Sequence, residues 1–432
     1  MPGPHLPFFE EGMARWPFGP PHAGVALDLV GTPPAPDELR ALVNERWAGL
    51  PRLGRVLVAP TDARTGPAWW ARRHRWAACE DHEPARHVRS EDGTLQDGVR
   101  DWFDAPFPAG RPPWNLHLLR GTSDGEFSLL LRMHHSLLDG RSVTTLLRAL
   151  LDGCRPPDAA ASLAAPGDRR RTARAAAWAG GPPGMLTSGR PVPMPGQGAR
   201  EPAFTVVQLP SDALRAAREA VPDRRATTNE VFLAVVSGVL RARLAVPGPR
   251  RADGRGPGSP KVWLSVPVDE RPADRGAYLG NAFANIRVPA PVALPDASAR
   301  LAAVTGLLTT ATRGRDLAGK LVEGALTALP GATQTLLRRK FFLPAYAPAA
   351  CSYVHLRDQG ETLAGRPVRS VTAIPMVPPA DTVTFALGGC TGGHTLSVAT
   401  NAGSGDAGIL AGAFVEELER LAGRTRHAAG TV

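Results

Sequence analysis

The segment best equipped for chemistry is His134-His135-Ser136-Leu137-Leu138-Asp139-Gly140: two adjacent histidines, three spacers and an Asp-Gly pair. A neutral imidazole is a usable general base near pH 7, because its ordinary pKa lies close to that pH. Side chains alternate along a strand, so only one of the two histidines can face a cleft and the other must be structural. Asp139 is close enough in sequence to fix the turn or an imidazole. Gly140 lets the backbone bend into whatever element follows. The plainer alternative is a structural histidine pair at a strand end, with no chemistry attached.

The neighbouring sequence predicts what positions this segment. Trp114–Leu119 and Phe127–Met133 read as two strands, with Asp124-Gly125 as the turn of a hairpin. The second strand delivers the chain directly to His134. After Gly140, Val143, Leu146, Leu147, Leu150 and Leu151 form a helical stripe that should stop near Gly153. Upstream, Val25, Leu27 and Leu29 alternate as a half-buried strand does. Leu39, Leu42, Val43, Trp47 and Leu50 fall on one face of a helix.

Residues 155–201 are rich in Pro, Gly, Ala and Arg, carry Arg169-Arg170-Arg171, and read as a crossover linker. They divide an N-terminal lobe, residues 1–154, from a C-terminal lobe, residues 202–432. The second lobe is expected to hold a strand at 204–209, a short helix after Ser211 and a helix capped by Thr227 or Thr228. A strand at 262–268, a helical region at 296–343, strands near 351–356, 366–373, 382–388 and 394–399, and a helix over 406–422 should follow. The whole reads as an α/β chain in two lobes.

Composition narrows the function classes. The 432 residues suffice for two cores, with 43% apolar and 21% charged residues, a globular profile. The net charge of +10 does not point to nucleic acid. Apart from Lys261, Lys320 and Lys340 the basic residues are arginines, scattered along the chain with no nucleic-acid-binding motif. Cys79, Cys154, Cys351 and Cys390 form no CxxC and read as reduced thiols. Met1–His5 shows neither a basic nor an apolar leader region, so a cytoplasmic chain is expected. Cys79, His82 and His87 fit no standard zinc spacing, so no metal is expected. Neither a Gly-x-Ser-x-Gly elbow nor a phosphate-binding glycine loop is present. Leu337–Pro344, basic and then apolar, reads either as a packed helix end or as a peripheral contact with lipid.

The heptad matches the HHxxxDG motif of the chloramphenicol-acetyltransferase-like superfamily, which includes nonribosomal condensation domains. The chain more particularly resembles the wax ester synthase/diacylglycerol acyltransferase family. Four further segments carry that resemblance: Ala105–Trp114, Thr228–Ala234, Val266–Arg271 with Leu279-Gly280-Asn281, and the order of the C-terminal strands and final helix. Two departures stand out: Glu230 replaces the family's aspartate, and Cys351–Leu356 lacks its asparagine and Gly-Pro.

The resemblance implies a two-lobed chloramphenicol acetyltransferase-like (condensation-domain-like) fold, with the active site in a tunnel between the lobes. It makes His135 the base, His134 structural, and Asp139 the partner of an arginine across the lobes, for which Arg271 is the candidate. Asn229 and Ser352 would line the substrate path. The implied reaction moves an acyl group from acyl-CoA, or from an acyl or peptidyl carrier protein, to an alcohol or amine. No cofactor beyond that thioester co-substrate is implied. Three functions follow: an ester-forming lipid acyltransferase, a natural-product acyltransferase or condensation-like enzyme, and a non-catalytic binding protein of the same fold.

Overall fold

The computed structural model describes residues 5–60, 72–102, 105–121, 125–163, 188–194, 201–221, 224–244, 261–271, 276–313, 328–401 and 406–423. Most of the 155–201 crossover, and Asp124 of the hairpin turn, lie outside these described residues.

The first half runs α1 (Phe8–Ala14), β1 (His22–Val30), α2 (Pro36–Trp47), β2 (Arg55–Val58), β3 (Arg75–Ala78), β4 (Val88–Asp92), α3 (Leu95–Trp102), β5 (Trp114–Arg120), β6 (Glu126–His134), α4 (Gly140–Arg148) and α5 (Ala159–Leu163). The expected hairpin is present: β5 and β6 pair antiparallel, with Trp114 opposite Met133 and Arg120 opposite Phe127. Gly125 supplies the turn's left-handed residue at φ 86°. α2 begins at a proline, whose fixed φ suits a first helical turn, and buries Leu39, Val43 and Trp47. The stripe after Gly140 is buried as expected, but α4 ends at Arg148 and Leu150 and Leu151 continue into the core as a turn.

The second half runs β7 (Pro202–Gln208), α6 (Ser211–Arg218), α7 (Thr228–Arg243), β8 (Val262–Asp269), β9 (Phe283–Ala290), α8 (Ala297–Arg313), α9 (Gly331–Phe341), β10 (Ala349–His355), β11 (Thr362–Leu363), β12 (Arg366–Ile374), β13 (Val383–Cys390), β14 (Gly393–Asn401) and α10 (Asp406–Leu421). Thr227 is the cap of α7. Its Oγ1 accepts from the Glu230 N–H at 3.2 Å, and Glu230 Oε2 accepts from the Thr227 N–H at 2.7 Å. Such a reciprocal cap contributes about 1 kcal/mol. At α9, Arg338 is buried while Leu336 and Leu337 face solvent.

Two six-stranded sheets result, ordered β11-β12-β1-β6-β5-β4 and β7-β14-β13-β10-β8-β9. β11 and β12 fall within residues 202–432, yet they complete the N-terminal sheet: Gly24 of β1 lies opposite Ile374, and Val25 opposite Ala373. β1 would otherwise expose an unpaired, apolar edge, and the buried end of β12, Ser370–Ile374, covers it. β1 is also buried on both faces rather than half-buried, because Trp102 of α3 and Ile374 pack with Ala26 on the side away from Val25.

The sheets meet at β12 and β13. Thr395 Oγ1 donates to the Val371 carbonyl at 2.6 Å, and a Cβ at Gly388 would stand 1.9 Å from that same oxygen. Only glycine permits this approach, which brings the two sheets together.

Candidate active site

Local sequence holds the motif turn at the end of β6. The His134 N–H donates to the Pro113 carbonyl at 2.9 Å and the His135 N–H to Pro21 at 2.9 Å, so two flanking prolines bracket the histidines. The Leu137 N–H closes the turn onto the His134 carbonyl at 2.8 Å. Arg52 Nε then donates to the Leu137 carbonyl at 2.9 Å.

The two histidines face different surroundings. His134 Nδ1 accepts from the Ser136 N–H at 3.2 Å and contacts Ser136 Oγ at 2.7 Å, which leaves the ring proton on Nε2. Burial, with the neighbouring histidines adding to it, pushes its pKa down to about 3. His135 instead lines a cavity between the lobes. Burial lowers its pKa too, against opposing pulls from the carbonyls of His135 and Leu138 and the charge of Asp139. Its ring is therefore neutral near pH 7. The Phe283 ring stands 5.9 Å away on the C-terminal side.

Asp139 is the N-cap of α4. Its Oδ1 accepts from the Ser142 N–H at 2.9 Å and from Arg271 Nη2 at 2.9 Å, and its Oδ2 accepts from the Ala282 N–H at 2.9 Å. Arg271 also donates to Asp269 Oδ1 at 2.9 Å and to the Gly280 carbonyl at 2.9 Å. Desolvation alone would lower the Arg271 pKa, but Asp139 and Asp269 outweigh it and raise it. Arg271 thus ties the motif to the second lobe. Gly140 opens α4 in contact with β10, and a Cβ there would meet Val354 Cγ2 at 2.9 Å.

The cavity has a volume of about 800 Å³, within the range of about 300–1,000 Å³ typical of small-molecule sites. His135, Asp139, Gly140, Arg271 and Ser352 all line it. His134 does not. Asn229, expected on the tunnel wall, sits in the first turn of α7, where that helix buries itself in the C-terminal core. It is not among the residues that line the cavity, although the neighbouring Thr228 bonds Tyr353 of that lining.

Several contributors have roles that the sequence alone does not reveal. Asn281 Nδ2 donates to the carbonyls of His135 at 3.0 Å and Ser136 at 2.9 Å, clamping the motif turn from the other lobe. Its Leu-Gly-Asn segment belongs to the family resemblance, but its role depends on the two lobes meeting. On mostly apolar walls stand Arg287, stacked 4.4 Å from the Trp263 ring and 4.3 Å from Tyr346, and Arg338, 4.3 Å from Phe8. These residues come from separate segments, so no spacing could have joined them. His82 and His87 pack together with rings 5.2 Å apart, and His87 stacks on Trp114 at 4.3 Å.

Comparison with known proteins agrees with this architecture. The pattern of the wax ester synthase/diacylglycerol acyltransferase catalytic domain matches residues 32–246. Wax ester synthase/diacylglycerol acyltransferase 4 of Arabidopsis thaliana is 33% identical over 127 residues, 28% of this chain and 23% of that protein. A putative diacylglycerol O-acyltransferase of Mycobacterium tuberculosis is 25% identical over 334 residues, 66% of this chain and 64% of its own length. The matches thus span less than two thirds of either relative. Among solved structures, the wax ester synthase/diacylglycerol acyltransferase of Marinobacter aquaeolei VT8 has a TM-score of 0.61 at 16% identity, covering 97% of this chain and all of that one. The first condensation domain of the calcium-dependent antibiotic synthetase reaches 0.65 at 18% identity, covering 98% of this chain and 96% of that one. The fold is that of these solved proteins, and residues 32–246 resemble the wax ester synthase/diacylglycerol acyltransferase catalytic domain.

Proposed function

We propose that the chain is an acyltransferase that moves an acyl group from an acyl-CoA thioester to a hydroxyl acceptor, forming an ester, with His135 as general base. One observation carries this reading. Of the two motif side chains on the cavity that could accept a proton, Asp139 is already engaged by three donors, which leaves the neutral ring of His135.

In the proposed reaction the acceptor oxygen attacks the thioester carbonyl carbon while its proton passes to a ring nitrogen of His135. The new C–O bond forms, the adduct collapses and the C–S bond breaks. The departing sulfur takes the proton from the imidazolium, so His135 returns to neutral and a free thiol leaves. The rate then comes from holding both substrates in one cavity and from a base already positioned there. The mostly apolar walls suit an acyl chain, and Ser352 and the arginines give polar groups a place to sit. His134 and Asp139 hold the turn and do not touch the reacting atoms in this scheme.

The test is release of free thiol from a panel of acyl-CoAs, with long-chain alcohols, diacylglycerol and amines as acceptors. Acceptor-dependent release is expected, reduced about 10²- to 10⁴-fold in His135→Ala. Release that persists at the wild-type rate in His135→Ala would overturn the mechanism. Release only from carrier-bound donors would move the reading to a natural-product acyltransferase.

A further inference from the structure

A second cleft, of about 640 Å³, lies beside the catalytic cavity, where α4 faces the chain leaving β10. Arg141, one residue past the motif glycine, lines both spaces. The cleft and the cavity therefore share Arg141 as a wall.

Four arginines, Arg141, Arg148, Arg155 and Arg357, line this cleft, against two carboxylates, Asp152 and Glu361. Both carboxylates are occupied within the fold. Asp152 accepts from Thr362 Oγ1 at 2.6 Å and from the N–H groups of Ala364 at 2.9 Å and Gly365 at 2.8 Å. Glu361 accepts from Arg148 Nη2 at 2.7 Å and from the Gln359 N–H. That consumes Arg148 as well.

The nearest acid to Arg141 is Asp269, at 3.9 Å, and Arg141 has only a share of it, because Arg271 holds it at the shorter distance of 2.9 Å. Among the described residues no carboxylate pairs with Arg155 or Arg357. Arg141 and Arg357 stand close enough for the charge of Arg357 to add to the burial that lowers the Arg141 pKa. Like charges gathered in one concave space call for an anion, and planar guanidinium groups match phosphate oxygens two at a time.

We propose that this cleft binds the phosphate-bearing end of the thioester donor, with Arg155 and Arg357 on its phosphates and Arg141 at the passage to His135. The inference rests on the acyltransferase reading above and adds the side from which the donor enters. Coenzyme A and a carrier protein's phosphopantetheine present the same chemistry here, a phosphate followed by a pantetheine arm that reaches inward.

The experiment compares the full-length wild type with the double variant Arg155→Ala/Arg357→Ala, both positions being exposed and outside the motif. Donors are acyl-CoA, the matching acyl-pantetheine without phosphates, and the same acyl group on a carrier protein. The variant should raise KM for the phosphate-bearing donor about tenfold or more with kcat retained, and leave acyl-pantetheine unmoved. Whichever of acyl-CoA and carrier-bound donor shows the rise identifies the source of the phosphate. The Arg155→Lys/Arg357→Lys variant should recover part of the loss. Titration with CoA and with pantetheine, read as binding alone, should give the same order without turnover. An equal loss with acyl-pantetheine, or unchanged KM and CoA binding in the alanine variant, would overturn the cleft while leaving the acyltransferase intact. Absence of thiol release from every donor would instead count against the acyltransferase, and the CoA titration would still decide the cleft.

Discussion

At the residue scale, what His135 can do follows from where its ring is buried. Burial lowers its pKa below the ordinary 6.5, so the form able to accept a proton persists at pH values where a free imidazole would already be charged. The log of kcat/KM for thiol release should therefore stay level from neutrality down through pH 6.5 and fall only below it. An acid limb centred at or above 6.5 would contradict a buried, neutral base. The motif histidines were legible by type and spacing alone, but the choice of His135 over His134 came from resemblance. Geometry gives it a physical basis: Ser136 occupies Nδ1 of His134, whereas His135 opens on the cavity.

At the element scale, Arg271 and Asn281 show how the second lobe completes the motif turn of the first. Arg271 and Asp139 are both nearly excluded from solvent, with side chains 2% and 6% exposed. Arg271→Ala would strand the Asp139 carboxylate in a buried site, an imbalance that costs about 3–5 kcal/mol. Asp139→Asn should be milder, since an amide oxygen can still cap α4. Denaturant unfolding of the two variants checks the order, and equal midpoints would refute it. The Asp139–Arg271 pairing is implied by the resemblance, whereas β9, which follows Asn281, carries no clear strand pattern in the sequence. Pro289 interrupts its pattern, and β9 tolerates that proline because it is the last strand of its sheet.

At the scale of the whole molecule, several histidines are buried uncharged. Burial holds His22 and His134 down to about 3, and His87 and His394 down to about 4. The unfolded chain protonates these rings near 6.5, so between 6.5 and their folded values it binds more protons than the native state. Stability from these groups is complete above pH 6.5 and is lost as pH falls towards 4, by at most about 1.4 kcal/mol per pH unit for each ring. Glu11 adds a second loss. Its carboxyl is buried, but His74 and Arg15 hold its pKa down to about 2, so its contribution disappears as pH falls from 4.5 towards 2. Thermal unfolding followed from pH 7 to pH 4 should show Tm falling across that window, and a flat Tm would refute the assignment. Among the described residues no helix is long and apolar enough to cross a membrane.

What the sequence determined by itself was local. Apolar periodicity marked the hairpin, α2, α4, α7 and most of the C-terminal strands, because burying one face of an element leaves a period of two or 3.6 in the chain. The HHxxxDG spacing marked the chemistry, because a strand end, a turn and a helix start occupy consecutive residues. Tertiary structure decided everything that depends on distant segments meeting. It placed β12 beside β1, brought Asn281 onto the His135 carbonyl and kept Asn229 out of the cavity. It also gathered Arg141, Arg155 and Arg357 around one cleft. Such contacts join residues tens to hundreds of positions apart. They leave no periodicity along the chain, because packing between sheets and not local backbone preference selects them.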